Sequence, residues 1–260
     1  MLFPSHKSAL TRLSDTLKIG FDECARTTEE LLEYSRRYGS VFASLQALAG
    51  RHLAGDISAD DLEAQARKAL EAIPEPERLT GAQLQQILHT QVLSVLLNTC
   101  FCLEAYINSL VFFLAERGYP GLDSAALAKM GTLDKGEAVG ELGGSGFDTS
   151  RAPFQAFKIL FRFRDDHVHN KVVPLSKDLG AGRYGGRFPD PVVGFLDLGH
   201  ALQGGEVYWS MIAEVHQLLS VPPQEFQRHY DLTPWGGEQR RGTLERLANA
   251  YRRTVPQEGH

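Results

Sequence analysis

Residues 92–114 constrain the fold most, because this stretch is apolar around the whole circumference of a helix. A helix that is apolar on every side must be surrounded by other elements. The stretch also carries Asn98, Glu104 and Asn108, and each of these side chains would be costly in the hydrocarbon of a membrane. We therefore expect a buried core helix here and not a membrane span.

The remaining sequence is dominated by helical spacing of apolar residues, and no run of alternating strands is present. Ser58 is the expected N-cap of one helix, and Pro74 and Pro76 are expected to end it. Gly39 is expected to break the helical run that precedes it. The predicted helices cover about residues 22–53, 58–73, 80–116, 153–168, 200–219 and 244–253. This pattern predicts an all-α fold, a helical bundle elaborated at both ends.

The chain has 260 residues, a hydrophobic fraction of 43% and a charged fraction of 23%, which are values typical of an ordinary globular protein. We divide it into an N-terminal helical extension over residues 1–78, a helical core over residues 79–175, and a loop with C-terminal helices over residues 176–260. The extension is expected to pack on the core, so that the three parts form one globular unit.

The charge balance limits the classes of nucleic acid that the chain can bind. It has 27 Lys and Arg against 32 Asp and Glu, a formal net charge of −5. This excludes a protein coated in positive charge that grips duplex DNA over a broad surface. It leaves open a small basic cleft for a short nucleic-acid segment, since local charge and net charge are different quantities.

The cysteines and the N-terminus bear on localisation. Cys24, Cys100 and Cys102 are odd in number and fit neither a disulfide framework nor a zinc-ligand pattern, so we expect reduced thiols. The first residues contain no apolar core of signal-peptide length. Both observations predict a cytoplasmic protein.

Residues 162–171 hold the densest cluster of ionisable side chains, at the end of an amphipathic helix. Three interpretations compete for it. The first is a solvated helix end with ordinary ion pairs. The second is a metal site built from Asp165, Asp166, His167 and His169, which the spacing disfavours because consecutive helical residues point to different sides. The third is acid–base cleavage of a phosphodiester, with an arginine for the phosphate and a histidine for the proton.

The segment Arg164-Asp-Asp-His-Val-His169 resembles the Arg-polar-x-x-x-His signature of HEPN domains (higher eukaryotes and prokaryotes nucleotide-binding). The apolar run 157–163 before it, the helix segment 102–110 and the short segment Leu133-Asp-Lys135 are also similar to that family. The resemblance covers about residues 83–175. Arg162 and His167 have the same spacing, so the register of the motif is a prediction in itself.

Many HEPN proteins are metal-independent ribonucleases, and the resemblance implies that activity here without a cofactor or a metal. Arg164, His169 and Asp165 are then the catalytic residues: His169 takes the proton from a ribose 2′-hydroxyl, Arg164 holds the phosphate, and Asp165 orients the imidazole or contacts RNA. The expected products carry a 2′,3′-cyclic phosphate and a 5′-hydroxyl. The predicted substrate-binding residues are Arg162, Lys171, His167 and Asn170.

The resemblance also implies partners. RNA is the expected substrate, a homodimer the expected assembly, and an antitoxin or a defence-complex protein the expected binding partner of a toxin or antiviral effector. No membrane association is expected. The alternative is a HEPN module that binds or assembles without cleaving, which is favoured by Lys171, because toxin members of the family often have tyrosine at that position, and by the acidic net charge.

Overall fold

The computed structural model describes residues 4–116, 126, 129–142, 148–168, 184, 187–188, 195–218 and 233–254. These residues are 84% helical and contain no strand, so the prediction of an all-α fold is confirmed. In chain order the helices are α1 (Pro4–Arg37), α2 (Gly39–Leu53), α3 (Ala59–Leu70), α4 (Glu75–Glu116), α5 (Thr132–Leu142), α6 (Phe154–Val168), α7 (Leu198–Leu218) and α8 (Glu238–Thr254).

Helix α4 is the central element, as its apolar middle predicts. Its buried side chains Val95 and Leu96 contact the neighbouring helices closely enough that only glycine fits opposite them. A Cβ atom at Gly20 of α1 would lie 2.8 Å from Val95, and one at Gly204 of α7 would lie 2.5 Å from Leu96. Glycines on α1 and α7 thus bring both helices close to α4.

Helices α5 and α6 complete the cover of α4 on the side that carries the motif. The aromatic residues of α6 provide most of this contact, since Phe154, Phe157 and Phe161 are all buried. Their rings pack edge to face or tilted against one another, with 4.6 Å between the centroids of Phe157 and Phe161. The motif therefore begins within the last turns of a firmly packed helix.

Helix α8 closes the bundle against α1 and α7. Arg240 donates to the carbonyl oxygen of Lys18 at 3.2 Å and also bonds to Asp22. At the other end of α8, Arg252 donates from Nε and Nη2 to the carboxylate of Asp197, at 2.8 and 2.9 Å. Asp197 also caps α7, because its Oδ1 accepts the backbone N–H of His200 at 3.1 Å.

Helices α2 and α3 form a hairpin that stands apart from this core, and neither has a buried side chain. The sequence cues at its ends are confirmed. Tyr38 separates α1 from α2 at the predicted break, and Ser58 Oγ accepts the N–H of Asp61 at 3.1 Å as the N-cap of α3.

Several helix bounds differ from the prediction. Helix α4 begins at Glu75 instead of residue 80. Pro76 is tolerated there because the N–H groups of a first turn have no helical partner. The negative charges of the glutamates in that turn interact favourably with the helix dipole. The expected domain boundary after residue 78 therefore lies inside α4. Helix α1 begins at Pro4, earlier than residue 22, and α8 begins at Glu238, earlier than residue 244. Helix α5 ends at Leu142, and residues 143–147 lie outside the described part of the chain.

Among the described residues one helical stretch, Glu75–Val111 in α4, is long and apolar enough to cross a membrane by length and composition, with a mean hydropathy of 1.3. A core helix of a soluble protein passes the same test, and 44% of that window is buried in the protein.

Candidate functional site

Arg164 is fixed by two carboxylates near the end of α6. Its Nε and Nη2 donate to Asp165 Oδ1 at 3.0 and 2.8 Å, and its Nη1 donates to Glu104 Oε2 on α4 at 3.1 Å. The guanidinium also lies 4.7 Å from the centroid of the Phe161 ring. With its side chain only 20% exposed, Arg164 is held in one place by groups on two helices.

The electrostatics of this cluster follow from those contacts. Burial lowers the pKa of Arg164, but the hydrogen bonds and charge of Asp165, together with the charge of Glu104, outweigh burial and raise it. The guanidinium is thus always charged. Three of its five N–H groups are used by the carboxylates, and two have no partner among the described residues. The three side chains together carry a net charge of −1.

A row of polar side chains continues along α4 from this cluster. Asn108 lies one turn after Glu104, and its Oδ1 accepts a hydrogen bond from Lys135 Nζ on α5 at 2.8 Å. Lys135 is the lysine of the segment that resembles the family, and in this protein it lies within a helix. The core helix therefore presents a carboxylate and an amide on the side that faces α5 and α6.

Arg162 and Asp166 lie one turn apart on α6, and their surroundings differ. Arg162 is exposed, whereas Asp166 is only 7% exposed and accepts a hydrogen bond from Tyr184 Oη at 2.9 Å. Tyr184 is itself buried and packs edge to face against Phe163. Asp166 therefore joins Tyr184 to the motif helix, a contact that a local helical pattern does not reveal.

Two histidines, His167 and His89, lie near the end of α6. Of these, only His167 was predicted from the sequence. His167 Nδ1 lies 2.8 Å from the carbonyl oxygen of Phe163, so this nitrogen carries a proton. The other, His89 on α4, accepts the N–H of Leu196 at Nδ1, at 3.1 Å. Burial lowers the pKa of His89, and the charge of nearby His167 lowers it further. His89 precedes Arg164, the first residue of the motif, by 75 positions, and only its partly exposed position on an apolar helix could have suggested it.

The structure places part of the predicted site. Arg164 and Asp165 are in direct contact, and His167 lies at the same helix end. His169, Asn170 and Lys171 lie outside the described residues. Among the residues that are described, no group of three or more His, Cys, Asp or Glu side chains could hold a metal ion. The predicted pairing of Asp165 with the imidazole stays a prediction, and its observed partner is Arg164.

Large apolar side chains are exposed around this helix end. Phe101, one turn before Glu104 on α4, is 44% exposed, and Val168 at the end of α6 is 52% exposed. Phe195, whose ring contacts His89, is 64% exposed. Each of these side chains leaves apolar surface in contact with solvent.

Comparison of the chain with protein-family models, with curated proteins and with solved structures finds no significant match.

Proposed function

We propose that the protein is a metal-independent endoribonuclease of the HEPN type. The observation that carries the proposal is the orientation of Arg164 by Glu104 and Asp165, with two N–H groups left over in the described part of the chain. An arginine held in this way donates to a phosphate without first having to be ordered, which is the property that stabilisation of a transition-state charge requires. Its position within Arg164-Asp-Asp-His-Val-His169 supports the same activity.

In the proposed reaction the ribose 2′-oxygen attacks the adjacent phosphorus and the bond to the 5′-oxygen breaks. His169 takes the proton from the 2′-hydroxyl, Arg164 neutralises charge on the non-bridging oxygens, and the departing 5′-oxygen takes a proton from solvent. The products carry a 2′,3′-cyclic phosphate and a 5′-hydroxyl. Arg162, His167, Asn170 and Lys171 contact the RNA backbone in this scheme.

The net charge of −1 on the Arg164 cluster means that a phosphate needs further positive charge. A two-fold homodimer supplies it, because both copies then contribute Arg164, His169 and Lys171 to a shared cleft. On a straight helix Arg164 and His169 point to different sides, so a facing copy also brings the two residue types together. The exposed side chains of Phe101 and Val168 support an interface at this surface.

The biological role that fits this activity is that of a cytoplasmic toxin or antiviral effector, controlled by an antitoxin or a defence-complex protein.

A second function, a non-catalytic module, has its own support. Because Glu104 and Asp165 neutralise Arg164, the cluster also suits a non-catalytic HEPN module in which the arginine fastens α6 to α4. Lys171 and the acidic net charge favour that module.

The deciding experiment is cleavage of a mixed RNA pool by the full-length protein in EDTA, followed by end-group analysis. We expect cleavage with cyclic phosphate ends, and loss of cleavage in His169→Ala with unchanged helical content. His52→Ala, which alters a histidine of α2, is the matched control and should cleave normally. Full activity in His169→Ala, or activity that EDTA removes, contradicts the mechanism. A folded protein that cleaves no RNA supports the module.

A further inference from the structure

A second candidate site lies far from the motif, in a cavity of about 640 Å³ between the body of the protein and the α2–α3 hairpin. Helices α1, α4 and α8 form its inner wall, and α2 with the end of α3 forms its outer wall. The lining is mainly apolar and aromatic, and includes Leu31, Tyr34, Phe42, Leu45, Ile73 and Tyr251. This volume lies in the range of small-molecule pockets.

The outer wall is apolar and poorly covered. Phe42, Leu45, Ala49 and Leu53 recur at three- and four-residue intervals and so share one face of α2, the face that lines the cavity. None of the side chains of α2 is buried, and Leu53 is 87% exposed. A helix whose apolar face borders an open cavity gains stability when an apolar molecule fills the space and removes that face from water.

The cavity also has a cation at its open side. Arg78 lines the cavity while remaining exposed, and its Nε donates to the carbonyl oxygen of Ile73 at 2.7 Å, which fixes the guanidinium at the end of the hairpin. In the described part of the chain Arg78 has no carboxylate partner. The neighbouring Glu77 is engaged elsewhere, since it accepts hydrogen bonds from Arg37 at 3.1 Å and from Tyr38.

We propose that this cavity binds a single-chain amphipathic carboxylate, a molecule of the fatty-acid class. The apolar walls take the chain, and the free N–H groups of Arg78 take the carboxylate through charge-assisted hydrogen bonds. The apolar lining selects against a short polar anion, and the unpaired guanidinium selects against a neutral or cationic head group. This site is independent of the proposed nuclease.

Calorimetric titration of the full-length protein with dodecanoate tests the proposal, at pH 8 where the carboxylate is ionised and below its micelle concentration. We expect saturable binding with one equivalent of ligand. Dodecanol and dodecyltrimethylammonium should bind at least about tenfold more weakly, because they lack the negative head. Equal affinity for all three amphiphiles, no binding of dodecanoate, or binding only to anionic lipid vesicles overturns the proposal.

Four variants, one of them a control, locate the ligand. Ala49→Trp places a large side chain in the cavity and should abolish binding, whereas Arg78→Gln should weaken it by about tenfold or more. Arg78→Lys keeps the charge and should restore affinity to within about threefold, which separates the charge from the structural bond to Ile73. Arg67→Gln, an exposed cation on α3 outside the cavity, should bind as the parent does. Unchanged affinity in Ala49→Trp, or in Arg78→Gln, overturns the assignment.

Discussion

Arg164 on α6 and Glu104 on α4 are sixty positions apart in sequence and form an ion pair at 3.1 Å. Their side chains are 20% and 37% exposed, so solvent screens the pair only in part. We expect Glu104→Ala and Arg164→Ala to be coupled by about 1 kcal/mol in a double-mutant cycle of urea unfolding. The Arg67–Glu63 pair of α3, with both side chains 73% exposed, is the control and should show a smaller coupling. Equal coupling in the two cycles would contradict a structural role for the Glu104 contact.

The register of the motif can be tested by comparing two arginines. Arg164→Ala should reduce RNA cleavage by about a hundredfold or more, because a positioned donor to the developing charge is lost. Arg162→Ala, which alters an exposed side chain, should reduce it by less than about tenfold. Cleavage rates at equal helical content provide the measurement. If Arg162→Ala is the inactive variant, the motif is shifted by two residues.

The proposed homodimer predicts an effect of charge at an apolar surface residue. Phe101→Asp should convert a dimer into a monomer at micromolar concentration and stop RNA cleavage, since a stable interface of more than about 1,200 Å² does not tolerate a buried, unpaired carboxylate. Leu79→Asp is the matched control, because Leu79 lies on the same helix and is 62% exposed. Light scattering measures the mass of each variant. A parent protein that is monomeric and cleaves RNA would refute the shared cleft.

The Asp197–Arg252 contact predicts a specific loss of stability in acid. Burial alone raises the pKa of Asp197, but the bonds from His200 and Arg252 outweigh it and hold the pKa well below its usual range. Stability from this carboxylate is therefore present above the pKa of an unfolded aspartate, about 3.9, and is lost as the pH falls below it. Asp197→Asn should cost about 2 kcal/mol at pH 7 through the lost charge and weaker cap.

Urea unfolding of the parent and of Asp197→Asn between pH 3 and pH 7 measures this effect. The difference in unfolding free energy should be constant near neutrality and should shrink in the acid range. Curves that stay parallel down to pH 3 would show that Asp197 titrates as it does in the unfolded chain.

The same substitution at two glycines should have opposite effects. A Cβ atom at Gly205 of α7 would lie 2.8 Å from the Trp235 ring and 3.1 Å from Phe21, so Gly205→Ala should destabilise the protein by about 1–3 kcal/mol. Gly242 of α8 has nothing within 4 Å of that position, and Gly242→Ala should stabilise the helix by about 0.5–1 kcal/mol. Urea unfolding followed by tryptophan fluorescence measures both. A stabilised Gly205→Ala variant would contradict the close packing at Trp235.

The sequence predicted the features that depend on neighbouring residues. The cap at Ser58, the break near Gly39 and the burial of α4 follow from local chemistry or from the period of a helix, and all three are confirmed. The start of α1 was missed although Leu10, Leu17 and Phe21 share a face, because the N-terminal residues between them are polar.

The contacts that shape the candidate site join distant positions, and no local pattern encodes them. The motif identifies Arg164 as a site residue. The sequence does not identify Glu104 as its partner, because a carboxylate on α4 could pair with any arginine that packs near it. No local pattern predicts the position of Tyr184, which the structure buries against Asp166. Such pairs depend on how helices pack, which the amphipathic pattern of each helix does not specify.

The contact between α1 and α8 has a consequence for the order of folding. This contact brings together Arg240 and Lys18, which are separated by 222 positions. Helix α1 therefore acquires a partner that is synthesised much later. Loop closure over such a distance is slow compared with the formation of single helices. During translation the apolar face of α1 that includes Leu17 and Phe21 can pack against α4 first, but it acquires Trp235 and α8 only after the C-terminal segment has left the ribosome. The bundle therefore completes its packing only once α8 has been synthesised, and a truncation that removes α8 should reduce the yield of folded protein more than the loss of one helix suggests.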